Sequence, residues 1–308
     1  MEYYLHNLPS DTERIDISHM GLTIFPTELL SRFKQLKILN CSHNKLTSLP
    51  SLLNHSFLEI LNCSYNKLTL LPSLLNHPFF EILNCSYNEL ILLPPLNTSL
   101  RVLYCFNNQL TSLPPLVNTS LKKLECEKNK LTSLPPLNKC LNFLECENNQ
   151  LTSLPPLPPS LRILSCSNNQ LTTLSSLNAS LEFLNCSHNQ LTFLPQMNES
   201  LYTLCCSNNK LTYIPNLNES LQCILWYDTP IYAILSGNIK NIVKWNRFRE
   251  YYFLSKLKKK FISWMWKARE EKIKEQFHYK HLLRFMEETG DLENVDLEPF
   301  LENFLPVN

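Results

Sequence analysis

Along the first three quarters of the chain, apolar residues return at a fixed spacing. The unit reads Leu-x-x-Leu-x-Cys-x-x-Asn-x-Leu, then Thr-x-Leu-Pro and a short polar stretch. Its asparagines stand at Asn44, Asn66, Asn88, Asn108, Asn129, Asn149, Asn169, Asn189 and Asn209, in steps of 22, 22, 20, 21, 20, 20, 20 and 20 residues. Such regularity marks an internal repeat whose copies stack. Worn copies flank the nine. Ile15, Ile17, Met20 and Leu22 keep the phase ahead of them, and Leu221, Ile224, Trp226 and Ile231 keep it behind. Met20 and Thr229 then fall in the asparagine slot. End copies face solvent on one side, so wear is expected there.

Within each unit the pattern changes period. Across Leu161–Ser167 the inward positions are Leu164 and Cys166, while Ile163, Ser165 and Ser167 face out, which predicts a strand. Asn169 follows where the chain turns inward, and its amide is expected to satisfy buried backbone groups there. Prolines at Pro50, Pro72, Pro94, Pro114, Pro135, Pro155, Pro195 and Pro215 then favour extended rather than helical return stretches. One repeat buries too little apolar surface to offset the entropy of ordering its own chain, so stability must come from burial shared between neighbours.

The stretch SLPPLPPSLRILSCSNNQLTTL closely resembles the short repeats of bacterial secreted leucine-rich effectors. On that resemblance the chain is identified as a leucine-rich repeat protein. The family implies an α/β-type, right-handed solenoid of about eleven repeats over residues 12–235, after an N-terminal cap segment at 1–11. It carries a parallel β-sheet on the concave side and an extended, polyproline-like convex side. Those effectors often append a cysteine-dependent ubiquitin-ligase domain. Here no cysteine follows Cys223, so that activity is not carried over. The tail segment FISWMWKAREEKIKEQF, with its Trp-x-Trp-x-x-Arg-Glu block, resembles the tails of leucine-rich proteins of giant DNA viruses.

Composition narrows the chemistry. The 308 residues are 44% hydrophobic and 18% charged with a formal net charge of +1, as in a soluble, core-forming chain. There are 3 glycines, Gly21, Gly237 and Gly290, too far apart for a glycine-rich phosphate loop or a nucleophile elbow. No nucleophile–base pair or metal cluster stands out, so no enzyme, cofactor or metal is expected. Of 12 cysteines, nine (Cys41, Cys63, Cys85, Cys105, Cys126, Cys146, Cys166, Cys186 and Cys206) share one inward repeat position. They are read as small buried hydrophobes rather than a thiolate or disulfide column, since metal sites use clustered cysteines. A chain this rich in thiols suits a reducing compartment, the host cytoplasm if viral. The opening MEYYLHNLPSDTER shows no leader pattern and no run of 18 apolar residues occurs, so neither secretion nor a membrane span is expected. The glycosylation sequons at Asn97, Asn118, Asn178 and Asn198 are discounted as products of the repeat template.

Outward positions are free of core constraints and therefore carry the functional signal. One column reads Ile38, Ile60, Ile82, Val102, Lys123, Phe143, Ile163, Phe183 and Thr203, an apolar stripe broken at Lys123. Two further columns are mostly asparagine and serine, broken by Glu125, Glu127, Glu145 and Glu147, with Tyr104 and Phe106 one repeat earlier. Like charges on neighbouring strands repel. The cluster is read as a docking site for a basic, partly apolar segment of a partner protein, on a surface made by Tyr104, Phe106, Glu125, Glu127, Phe143, Glu145, Glu147, Ile163 and Phe183. A cation site, acid/base catalysis by paired carboxylates, and drift on a tolerant face offset by Lys122, Lys123 and Lys128 are the alternatives.

The remainder is a different object. Residues 237–286 hold 14 Lys/Arg against 4 Asp/Glu, and residues 287–308 hold 7 acidic residues and no basic ones. A basic α-helical module is expected over 236–286, followed by an acidic tail at 287–308. Lys256, Lys258, Lys259 and Lys260 with Trp264 and Trp266 would let that module contact an anionic membrane surface or nucleic acid. A helical cap on the solenoid, or pairing with the acidic patch, are the other readings.

Overall fold

The computed structural model describes residues 5–234, apart from residues 53, 54 and 216. The predicted basic module and acidic tail, including Lys256, Lys258, Lys259, Lys260, Trp264 and Trp266, lie outside the described residues.

Eleven strands of three residues each form the frame. They are β1 (Arg14–Asp16), β2 (Ile38–Asn40), β3 (Ile60–Asn62), β4 (Ile82–Asn84), β5 (Val102–Tyr104), β6 (Lys123–Glu125), β7 (Phe143–Glu145), β8 (Ile163–Ser165), β9 (Phe183–Asn185), β10 (Thr203–Cys205) and β11 (Cys223–Leu225). They make one sheet in sequence order. Every pairing is parallel and in repeat register, so Leu124 faces Leu144 and Leu144 faces Leu164. The worn end copies join in the same register, Ile15 against Leu39 and Ile224 against Leu204. In the repeat opened by Leu121, the buried set is Leu121, Leu124, Cys126, Leu131 and Leu134. Stacked copies of that set make one continuous core.

The asparagine column ties each repeat to the one before it. Nδ2 of Asn169 donates to the carbonyls of Cys146 at 3.0 Å, Cys166 at 3.1 Å and Ser167 at 3.2 Å. Its Oδ1 accepts the Leu151 N–H at 3.0 Å. Asn44 starts the series by accepting from Met20 and Leu22 and donating to Ile17. The residue before each of the nine asparagines, and before Met20 and Thr229, takes a left-handed conformation, with φ from 50° to 55° at these eleven positions. That turn aims the amide inward.

A second, unforeseen column sits three residues before the strand-entry residue of most repeats. Asn97 donates to His77 O at 2.7 Å and Phe80 O at 3.2 Å, and Asn178, Asn198 and Asn218 reach back to the preceding repeat in the same way. In the longer repeats a histidine does the work. Nε2 of His55 lies 3.2 Å from Leu30 O, and that of His77 lies 3.0 Å from Leu52 O. A carbonyl only accepts, so Nε2 carries the proton on both rings. Three of the four sequon asparagines, Asn97, Asn178 and Asn198, thus have their amide nitrogens bound to backbone, whereas Asn118 is exposed.

The return stretches are extended or turn-like, as the prolines imply, with a difference at each end. Among the described residues a helix, α1 (Thr27–Leu30), breaks the extended path of the first repeat, and α2 (Pro230–Ile234) follows β11. The first repeat replaces the Leu-Pro-Pro signature by Pro26 ahead of Thr-Glu-Leu-Leu, so the chain can coil after its proline. Leu30 and Phe33, three apart, then face the core.

All nine column cysteines are 0% exposed, as expected of small hydrophobes. Burial pushes the thiols of Cys41, Cys85, Cys166 and Cys206 up to about 12. Several point at the next strand, with Cys126 Sγ 3.4 Å from Glu145 O. Cys140 and Cys223 are exposed and Cys205 is half-buried. At neutral pH iodoacetamide should therefore modify Cys140 and Cys223 quickly, Cys205 slowly, and the nine column thiols only in denaturant; mass spectrometry reads the difference, and rapid native labelling of the column would refute its packing. Replacing Asn169 by Ala should cost about 3 kcal/mol in a urea titration, because it orphans buried backbone groups in two repeats. A loss below about 1 kcal/mol would mean that water takes over the amide's work.

Candidate functional site

The nine sequence-predicted surface residues all fall on the outward face of the sheet, in or just beyond β5 to β9, and all are half-buried. Register brings them together. Tyr104 is opposite Glu125, Glu125 opposite Glu145, and Glu145 opposite Ser165. The apolar column runs beside them, Lys123 opposite Phe143, then Ile163 and Phe183. Neighbouring side chains on these parallel strands shield one another, which leaves the stripe partly covered.

The acidic cluster is tighter than the sequence suggests. Carboxylate oxygens of Glu125, Glu127 and Glu145 all lie within 4.8 Å of one another. Their charges are managed unequally. Lys123 Nζ sits 2.7 Å from Glu125 Oε1. Glu147 Oε1 accepts from Ser165 Oγ in a short hydrogen bond. Glu127 Oε2 is buried with no hydrogen-bond partner among the described residues. Burial, joined by the charges of Glu125, Glu145 and Glu147, raises the Glu127 carboxyl to about 7. Burial also raises Glu145, helped by Glu125 and Glu147 and opposed by Lys123. Three oxygens this close could chelate a hard cation, but the cation that Glu125 holds here is Lys123.

Lys123 does more than offset charge. Its Nζ lies 5.1 Å from the Tyr104 ring centroid and 4.6 Å from that of Phe143. Burial would lower the pKa of this amine, yet its hydrogen bond to Glu125, with the charges of Glu125 and Tyr104, holds it above the ordinary lysine value.

A second feature went unread in the sequence. The rings of His19, His43, Tyr65 and Tyr87 stack in series, with centroid separations of 4.2, 4.2 and 4.0 Å, and Phe106 meets Tyr87 edge-on at 5.3 Å. These four rings occupy the left-handed position ahead of the ladder, which Asn107, Asn148, Asn168 and Asn208 fill in four later repeats and Lys128, His188 and Asp228 in three others. The signal was present as an aromatic run in an asparagine column. The stack ends at Phe106, whose repeat position holds Glu127 in the next copy.

Comparison with known proteins gives the family. A model of two leucine-rich repeat copies matches residues 98–139, and a single-repeat model matches residues 35–56. Among solved structures, the leucine-rich effector protein YopM from Yersinia pestis is 32% identical with a TM-score of 0.60, over 72% of this chain and 68% of YopM. The chain belongs to the leucine-rich repeat proteins. YopM from Yersinia enterocolitica WA-314 matches this leucine-rich repeat chain at 29% identity and a TM-score of 0.58, over 71% of the chain and 56% of YopM. The functional domain of InlJ from Listeria monocytogenes, described as including a cysteine ladder, matches at 27% identity and a TM-score of 0.57, over 71% and 54%. The leucine-rich repeat chain thus spans little more than half the length of the last two. Among curated proteins no sequence matches. Leucine-rich repeat solenoids serve as protein-interaction scaffolds, typically without enzymatic activity. No helix among the described residues is long and apolar enough to cross a membrane.

The raised Glu127 carboxyl predicts a pH dependence. The folded state holds this proton more tightly than the unfolded state, where the carboxyl returns to 4.5. Ionisation therefore costs stability above about pH 7, and the cost fades as pH falls through that value toward 4.5. Glu127→Gln should be more stable than the parent near pH 8, with the gap closing by about pH 5, measured as urea midpoints. Parallel pH profiles for the two proteins would contradict a strained carboxylate.

Proposed function

We propose that the chain is a non-enzymatic scaffold that binds a basic, partly apolar segment of a partner protein on the concave, outward face of its sheet. The observation that carries this reading is the unbalanced cluster of Glu127, Glu145 and Glu147. These carboxylates make no ion pair among the described residues and stand beside half-buried aromatic rings. Like charges held at neighbouring strand positions cost stability. A cationic partner would relieve that cost on docking and be steered toward the face. Tyr104, Phe106, Phe143, Ile163 and Phe183 supply apolar area next to the charges, the combination from which interface anchors are made. The resemblance to an effector from Yersinia pestis supports a host protein as the partner, and the tail's likeness to giant DNA virus proteins adds a virion protein to the candidates. The nine buried thiols suit a reducing compartment such as a host cytoplasm.

Display of random dodecapeptides on the intact chain tests the proposal. Enriched peptides should combine lysine or arginine with apolar residues, and bind at least about tenfold more weakly to a variant carrying Glu125→Ser, Glu127→Ser, Glu145→Ser and Glu147→Ser. Serine is the common residue of one of these columns and stands at Ser165 in the other, so the fold should persist. Enrichment without a basic bias, or binding indifferent to the four substitutions, would sink the reading.

A further inference from the structure

We propose that Lys123 is a built-in occupant of the cation site on this face, and that a lysine side chain of the partner displaces it on docking. The inference rests on the reading of the face as a site for a basic segment, and adds which residue that segment must present.

The site is assembled from three adjacent strands. Tyr104 ends β5, Lys123 and Glu125 begin and end β6, and Phe143 begins β7. The Lys123 ammonium lies 5.1 Å from one ring centroid, 4.6 Å from the other and 2.7 Å from the Glu125 carboxylate. Both rings are within the ~6 Å over which an aromatic face attracts a cation. The side chains of Lys123 and Glu125 are 33% and 13% exposed, so the pair is partly withdrawn from water, where such attractions strengthen.

Position 123 makes the arrangement informative. Among the nine regular copies its column is otherwise Ile38, Ile60, Ile82, Val102, Phe143, Ile163, Phe183 and Thr203, and its lysine falls in the repeat where the glutamates begin. The rings and Glu125 are fixed by short, registered strands, whereas Lys123 reaches them on a flexible four-carbon stem. It can leave without moving backbone, and another ammonium then meets the same two rings and carboxylate. Carboxylate oxygens of Glu127 and Glu145 lie within 4.8 Å of that of Glu125, so a cation held there sits in their field as well. The chain's own lysine thus shows which chemistry the face accepts, and competes with the partner for it.

Fluorescence anisotropy with labelled acetyl-octalysine on the full chain tests this. Lys123→Met vacates the site; Lys122→Met removes the same charge from an exposed neighbour and controls for the overall field. Lys123→Met should bind octalysine about three- to fivefold tighter than Lys122→Met. That advantage should vanish when Tyr104→Asn and Phe143→Ile, the common residues of their columns, are added. Thermal melts confirm that each variant folds. Equal binding by the two lysine variants, or weaker binding by Lys123→Met, overturns the proposal even if the four glutamates matter. Octalysine binding unchanged by the four glutamate-to-serine substitutions overturns the docking reading beneath it.

Discussion

Each ladder asparagine does work that no single repeat could complete. Its amide nitrogen binds carbonyls of its own turn and of the turn before, while its oxygen takes an N–H of the earlier repeat. Removing the neighbour would strand those buried groups, and an orphaned group costs more than a made bond gains. The two ends show the direction of this dependence. Met20 can stand in the first slot because the amide that matters there belongs to Asn44 and reaches backward. At the far end Thr229 replaces the amide. Its hydroxyl donates to Trp226 O and accepts the Tyr232 N–H, so it caps α2, which Pro230 opens. The ladder is exchanged there for a helix start.

The same constraint explains what was legible in the sequence. Period, register, inward cysteines and the first asparagine column follow from spacing alone, because every copy repeats the same physical demand. The second column is visible as spacing, but its role is not. The repeat template accounts for Asn97, Asn178 and Asn198, and the structure adds the reason: each amide closes a turn onto the preceding repeat. His55 and His77 escaped notice because the longer repeats put a different residue in that role. α1 was hidden for the opposite reason, lying in a copy too worn for the template to predict.

The candidate site was legible as breaks in columns, but not as geometry. Spacing placed Glu125 beside Glu145, and could not show that Lys123 folds across to Glu125 or that Glu147 finds Ser165. Those pairings turn four nominally equal acids into two that are satisfied and two that are held against their preference, Glu127 and Glu145, both with raised carboxyl pKa values.

Strain on this face is therefore uneven, and it is matched by strain in the backbone beside it. The left-handed slot suits asparagine and histidine better than tyrosine, which fills it at Tyr65 and Tyr87. Four consecutive copies nevertheless carry rings there, and stacking at 4.0 to 4.2 Å offsets part of the cost. A fold selected only for stability would favour asparagine in that column, as at Asn107, Asn148, Asn168 and Asn208, and asparagine or serine in the acidic columns, as at Asn62 and Ser64. Most of the departures adjoin one another, running from the ring stack through Phe106 to Glu127 and Glu147, above a core that stays continuous. Residues that cost the fold something, in adjacent repeats of an otherwise regular solenoid, are what the proposed docking of a basic segment would ask of the sequence.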